Sequence, residues 1–289
     1  MENSTAGITP SVLKELQADF GVKASKALGQ NFLIDPNMCN KIAQMLPENA
    51  NVIEIGPGVG SLTVQLARRA KKVFAIELDK HMLAPLGAML ERYEVAENVE
   101  TINDDVMKVD LQQLCLENEV EYIFGNLPYN ISAPLLADIS LLAPKVKCVV
   151  AMVQKEVGER LSAKQGTRQV GAITYKTQYF MDIENLFQVP KMSFIPRPHV
   201  DSVVIKMERR ASHDQVLDGP EVKKMFKLIE TAFSQRRKML RQSLKLLLGE
   251  QLDTIFVAAN VDPTRRPEQL ENNEFMKLNR AWIDQGKRA

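Results

Sequence analysis

Short apolar runs, NVIEI at 51–55, KVFAIEL at 72–78, VETIN at 99–103, EYIFGN at 121–126 and KCVVAMVQ at 147–154, alternate with stretches long enough for a helix. That rhythm marks βαβ units, in which a crossover helix follows each strand, and it predicts an α/β fold around a parallel sheet. Two later runs, Met181–Val189 and Ser202–Met207, lie closer together and predict an antiparallel edge. Ahead of the first strand, Asp35-Pro36 reads as an N-cap with proline at the first helical position, opening a helix with Ile42, Met45 and Leu46 on one side. Between about 208 and 220 the chain turns polar (ERRASHDQVLDGP), and the strand signal ends there. The expected organisation is a sheet-bearing domain at 1–208 and a small all-helical domain at 209–289.

Behind that boundary the pattern is helical. At about 100° per residue, Phe226, Ile229, Phe233, Leu240, Leu244 and Leu247 fall on one stripe. Arg237, Lys238, Arg241 and Lys245 run along one flank of it. Read alone, this is an amphipathic helix with a solvated face.

Composition narrows the class. The chain has 289 residues, 45% hydrophobic and 25% charged, as in a folded globular protein. No run approaches the roughly 18 uninterrupted apolar residues of a membrane span, and the opening MENSTAGITPSVLKEL lacks the basic-then-apolar order of a secretory signal, so a cytoplasmic protein is expected. Cys39, Cys115 and Cys148 are scattered and suit buried, reduced thiols, while His81, His199 and His213 show no ligand spacing; no metal is expected. The net charge of +1 says little, but residues 223–245 carry eight Lys and Arg against Glu230 alone, a local basic surface. Trp282 reads as packing.

The candidate chemistry begins where the first strand runs into Glu54-Ile55-Gly56-Pro57-Gly58-Val59-Gly60-Ser61. A dinucleotide fingerprint would need glycine where Ser61 stands. The E-x-G-x-G-x-G spacing instead resembles motif I of the class I S-adenosylmethionine-dependent methyltransferases. Glu77 closes the second strand, where an acid can accept both hydroxyls of a cofactor ribose, and Asp105 follows the third, where it could accept from an adenine amine. Either acid alone reads as a helix N-cap, and for Asp79 and Asp104 that is the preferred reading.

At the fourth strand end stands Asn126-Leu127-Pro128-Tyr129. Pro128 forces Leu127 out of helical geometry and leaves its carbonyl without a regular partner. The Asn126 side-chain oxygen and the Leu127 carbonyl could then accept both protons of an adenine N6 amine, favouring a pyramidal nitrogen with its lone pair aimed at a sulfonium methyl. Tyr129 would supply a stacking face for a base taken out of its helix.

Asn-Leu-Pro-Tyr is similar to motif IV of amino-methyltransferases. Together with GQNFLID (29–35), FIPRPHVDSVV (194–204) and FSQRRKMLRQSL (233–244), the chain resembles the ribosomal RNA adenine dimethyltransferase family, in its bacterial branch, over nearly its whole length. The resemblance implies a Rossmann-like, mostly parallel seven-stranded sheet with helices on both faces and a helical RNA-contacting domain. It implies S-adenosylmethionine contacts from Asn31, Leu33, Gly56, Gly58, Glu77, Asp105 and Asn126, catalytic positions at Asn126, Leu127, Pro128, Tyr129 and Phe194, with Tyr129 and Phe194 flanking the target adenine, and RNA contacts from Arg236, Arg237, Lys238, Arg241 and Lys245. The implied reaction is dimethylation of two adjacent adenosines in the terminal hairpin of 16S ribosomal RNA, in the small subunit or its precursor, by a monomer. Two alternatives stay open: an erythromycin-resistance-type enzyme acting on large-subunit RNA, and a non-catalytic assembly factor on the same fold.

Overall fold

In the computed structural model, which describes residues 7–210 and 219–286, the strands are β1 Asn51–Ile55, β2 Lys72–Ile76, β3 Val99–Ile102, β4 Tyr122–Asn126, β5 Cys148–Gln154, β6 Met181–Val189 and β7 Ser202–Arg209. They form one seven-stranded sheet in the order β3-β2-β1-β4-β5-β7-β6. The strands from β3 to β5 pair in parallel, and β7 runs antiparallel to β5, with Cys148 opposite Glu208 and Gln154 opposite Ser202. Helices cover both faces of the sheet. Their burial follows their place: β1 and β5 are nearly all buried, whereas β3 at one edge exposes Glu100 and Thr101.

The strand order reverses between β1 and β4, and open parallel sheets bind ligands at the carboxyl ends of strands beside such a switch point. Here Ile55 pairs with Gly125, bringing the glycine loop and the Asn126 turn side by side. A Cβ at Gly125 would stand 2.6 Å from the Ile55 carbonyl oxygen, so only glycine lets β1 and β4 approach this closely. A short ribbon adds to this end of the sheet: Phe32–Leu33 pairs antiparallel with Phe194–Ile195. Next to it, Asp35 caps the helix Pro36–Ala43 by accepting from the amides of Asn37 and Met38, and Ile42 and Leu46 are buried. The three cysteines are free and buried.

The chain forms two compact units, Met1–Gly158 with Asp182–Arg209, and Glu159–Met181 with Arg210–Ala289. A single cut near residue 208 misses the segment Glu159–Met181, which belongs with the helical part. Tyr175 explains why. It is fully buried, its ring lies 5.4 Å from Phe233 and 5.2 Å from Phe275, and its hydroxyl donates to the Leu270 carbonyl. Most of the polar linker around 208–220, with His213, lies outside the described residues.

The apolar stripe of the helical unit does not lie on one continuous helix. The helix Gly219–Ser234 ends, Met239 is extended (ψ 151°), and short helices follow at Leu240–Ser243 and Lys245–Leu248. The amides of Leu240 and Arg241 donate to the carbonyls of Arg265 (2.8 Å) and Pro263 (3.0 Å), partners from another segment that replace the helical ones. Phe226, Ile229, Leu240 and Leu244 are nonetheless all buried. Trp282 is half-buried, with the Lys224 ammonium 4.2 Å from its ring centroid.

Candidate active site

The loop after β1 turns on Gly56, Gly58 and Gly60, whose φ angles of 71°, 54° and 93° all lie in the left-handed region. The loop is tied to the end of β2 by a side chain. Glu77 accepts from the Gly58 amide on one carboxylate oxygen (2.9 Å) and from the Asp79 amide on the other (2.8 Å). Each oxygen keeps further acceptor capacity. Glu77 is only 5% exposed; burial pushes its carboxyl above the ordinary range, and the two amide bonds oppose that shift.

Glu54, inside β1, was given no role by the sequence, although an acid in an otherwise apolar strand was the signal that could have found it. It is 1% exposed, lines the same cavity, and its Oε2 has no hydrogen-bond partner. Burial, opposed by Thr63 and reinforced by the charge of Glu77, pushes its carboxyl up to about 8.

Asp105 serves a turn as well as the cavity. Its Oδ1 accepts from the Met107 amide at 3.0 Å, its own amide donates to Asp104 Oδ1 at 2.7 Å, and Lys108 lies 4.0 Å from Oδ2. Asp79 caps the turn Lys80–Met82 through the His81 amide and also takes Gln30 Nε2 at 3.1 Å.

Asn126 ends β4, and its Nδ2 donates to the Asn31 carbonyl at 3.0 Å. That bond fixes the amide's orientation and leaves Oδ1 as its acceptor. The Leu127 amide donates to Met152 O, whereas the Pro128 carbonyl accepts from Ile131 and Ser132 and starts the helix Ser132–Leu142. Among the described residues no group donates to the Leu127 carbonyl. Tyr129 follows, half-buried, with its hydroxyl 2.8 Å from Ser202 Oγ.

Every residue expected to touch the cofactor, together with the turn 126–129, lines one cavity of about 240 Å³. Phe194 does not. Expected as a second aromatic face, it is 0% exposed, pairs with Leu33 in the ribbon and packs in the core with Leu46, Phe124 and Met152. Its ring is buried in that core and does not line the cavity, whose aromatic lining among the described residues is Tyr129 beside Asn126 and Phe32 beside Asn31. Among the described residues no His, Cys, Asp or Glu cluster is placed to hold a metal ion.

The basic candidates are not equivalent. Arg236 is already engaged, donating to the Arg168 carbonyl with Glu268 4.0 Å away. Arg241 pairs with Asp253 at 2.8 Å. Arg237, Lys238 and Lys245 are exposed, and among the described residues no acid lies within ion-pair distance of them.

Comparison with known proteins accords with this geometry. Residues 21–283 match the family described as ribosomal RNA adenine dimethylase. A relative from Geobacillus thermodenitrificans (strain NG80-2), named Ribosomal RNA small subunit methyltransferase A, is 39% identical over 287 residues, covering 95% of this chain and 96% of its own. One of the same name from Bacillus mycoides (strain KBAB4) is 38% identical over 287 residues, with 95% and 97% covered. Among solved structures, a dimethyladenosine transferase from Plasmodium falciparum superposes with a TM-score of 0.71 at 27% identity, over 88% of this chain and 98% of that one. The 23S rRNA methyltransferase ErmE gives 0.63 at 24%, over 88% and 100%, which shows a shared fold alone.

Proposed function

The chain belongs to the ribosomal RNA adenine dimethylase family, and on that premise we propose that it transfers methyl groups from S-adenosylmethionine to N6 of two adjacent adenosines in the terminal hairpin of 16S ribosomal RNA. It would do so in the cytoplasm, as a monomer, on the small subunit or its precursor during ribosome biogenesis. The observation that carries this reading is the Asn126 amide, held by Asn31 so that its oxygen is left as an acceptor beside a Leu127 carbonyl to which none of the described residues donates.

The residues present fit the cofactor. Glu77 is already oriented by Gly58 and Asp79 with acceptor capacity left for ribose hydroxyls, and the glycine loop lets backbone approach a ligand closely. Asp105 keeps capacity for an adenine amine, and Asn31 and Leu33 line the wall. When bound, S-adenosylmethionine supplies an electrophilic methyl group on a positively charged sulfur.

The chain's own residues then supply position and charge. Asn126 Oδ1 and the Leu127 carbonyl accept the two amine protons, which frees the nitrogen lone pair from the ring. These bonds strengthen as positive charge develops on nitrogen, so no strong base is required. Tyr129 offers the flipped base a stacking face. Arg237, Lys238 and Lys245 suit phosphate contacts. Incubation of purified protein with S-adenosylmethionine and undermethylated small subunits should yield dimethyladenosine by mass spectrometry. Methylation confined to large-subunit RNA would overturn the assignment.

A further inference from the structure

We infer that Ser202 is a positioning residue for the target base, acting through a hydrogen bond that holds the Tyr129 ring at the cavity. The two residues are 73 positions apart, yet the phenol oxygen and Ser202 Oγ lie 2.8 Å from each other. Tyr129 stands on the turn after β4, whose Leu127 amide is anchored to Met152. Ser202 opens β7, is 0% exposed and sits in register with Gln154. Its neighbour Asp201 is held as well: its carbonyl accepts from the Lys155 amide and its Oδ1 from the Lys191 amide, each at 3.0 Å. The hydroxyl that meets Tyr129 therefore projects from a point fixed on three sides.

Attachment at both ends, Cα on the turn and oxygen on β7, fixes the long axis of the ring and leaves only rotation about it. A ring whose place and long axis are already fixed loses less freedom when the base arrives. The bond also satisfies a buried serine hydroxyl that among the described residues has no other partner. Burial pushes the Tyr129 hydroxyl up, so it stays a neutral group able to share this bond. With Phe194 buried in the core, the placement of this ring bears directly on how the base is held.

This inference rests on the reading that Tyr129 stacks on the target adenine, and two experiments separate them. The tether is tested without substrate: the full chain is labelled with 3-fluorotyrosine, the position 129 signal is assigned by its loss in Tyr129→Phe, and Ser202→Ala is compared with wild type by fluorine NMR. A shifted or broadened signal is expected; an unchanged one overturns the tether. Kinetics on undermethylated small subunits then test the role. Ser202→Ala and Tyr129→Phe should each raise KM for the particle about threefold to tenfold, the scale of one net hydrogen bond, with kcat nearly unchanged. The double variant should be no worse than either single one, because both remove the same bond. Additive effects, or a wild-type KM for either variant, overturn the role. If Ser202→Ala does not fold, Tyr129→Phe alone decides by its KM. A wild-type protein that leaves small subunits unmethylated while the NMR signal responds would sink the functional reading and leave the tether standing.

Discussion

The Asn126 side-chain amide donates to the Asn31 carbonyl at 3.0 Å across 95 positions of sequence. One bond thereby joins the segment ahead of the helix Pro36–Ala43 to the end of β4, and decides which end of the amide faces a substrate. Replacing Asn126 by Ala removes both the anchor and the acceptor. Turnover should fall by a factor on the order of a hundred or more, the scale of losing one preorganised transition-state partner. Single-turnover methylation of undermethylated small subunits measures it; a loss seen only in KM would count against the proposed role.

Glu77→Ala should weaken S-adenosylmethionine binding by roughly 1–3 kcal/mol, through lost charged-acceptor bonds and a glycine loop released at Gly58. Isothermal titration calorimetry is the check. An unchanged affinity would remove Glu77 from the site.

Gly125→Ala should destabilise the fold by at least about 1–3 kcal/mol, because its Cβ would meet the Ile55 carbonyl at 2.6 Å and backbone cannot yield as a side chain can. Gly21→Ala, by contrast, meets nothing within 4 Å, and its cost comes only from a positive φ. Denaturant unfolding of the two variants separates a close-approach glycine from a purely conformational one.

Glu54 makes stability depend on pH in the sense opposite to an ion-paired acid. Its ordinary value is 4.5 and its folded value about 8, so between them the folded chain holds a proton that the unfolded chain has released. The contribution is complete below 4.5 and is lost as pH rises through about 8, with a limiting slope on the order of 1.4 kcal/mol per pH unit. Glu54→Gln cannot ionise. Its stability relative to wild type should rise between pH 5 and pH 9 in denaturant titrations, and a constant difference would refute the linkage.

Arg237, Lys238 and Lys245 replaced together by Ala should lower the salt slope of RNA binding by up to about three units, if each meets a phosphate. Cofactor affinity should not change. Arg236→Ala should act differently, lowering thermal stability through lost contacts to Arg168 and Glu268. An unaltered slope in the triple variant would return this surface to an ordinary solvated face.

Much of this was legible along the chain because the determinants are local. Strand and helix alternation follows from hydrophobic period, the glycine loop from the φ angles only glycine adopts readily, and the place of Glu77, Asp105 and Asn126 from the ends of the strands they close. Family resemblance supplied the reaction. Four of the six stripe positions, Phe226, Ile229, Leu240 and Leu244, are buried and Phe233 and Leu247 are half-buried, since burial largely follows spacing even where the backbone breaks.

The rest was decided by partners distant in sequence. Nothing near Phe194 says that Leu33 will pair with it and draw it into the core, and nothing near Glu159–Met181 says that Tyr175 will pack on Phe233 and Phe275. The amides of Leu240 and Arg241 find carbonyls of Arg265 and Pro263, the Gly125 requirement comes from Ile55, and the Tyr129 hydroxyl meets Ser202. Periodicity reports which face of an element is apolar, but a contact's energy is realised only when the chain closes on itself. Residues such as Glu77, Asp105 and Asn126, which line the cavity, could therefore be singled out from sequence, while the bonds that orient them could be seen only in the fold.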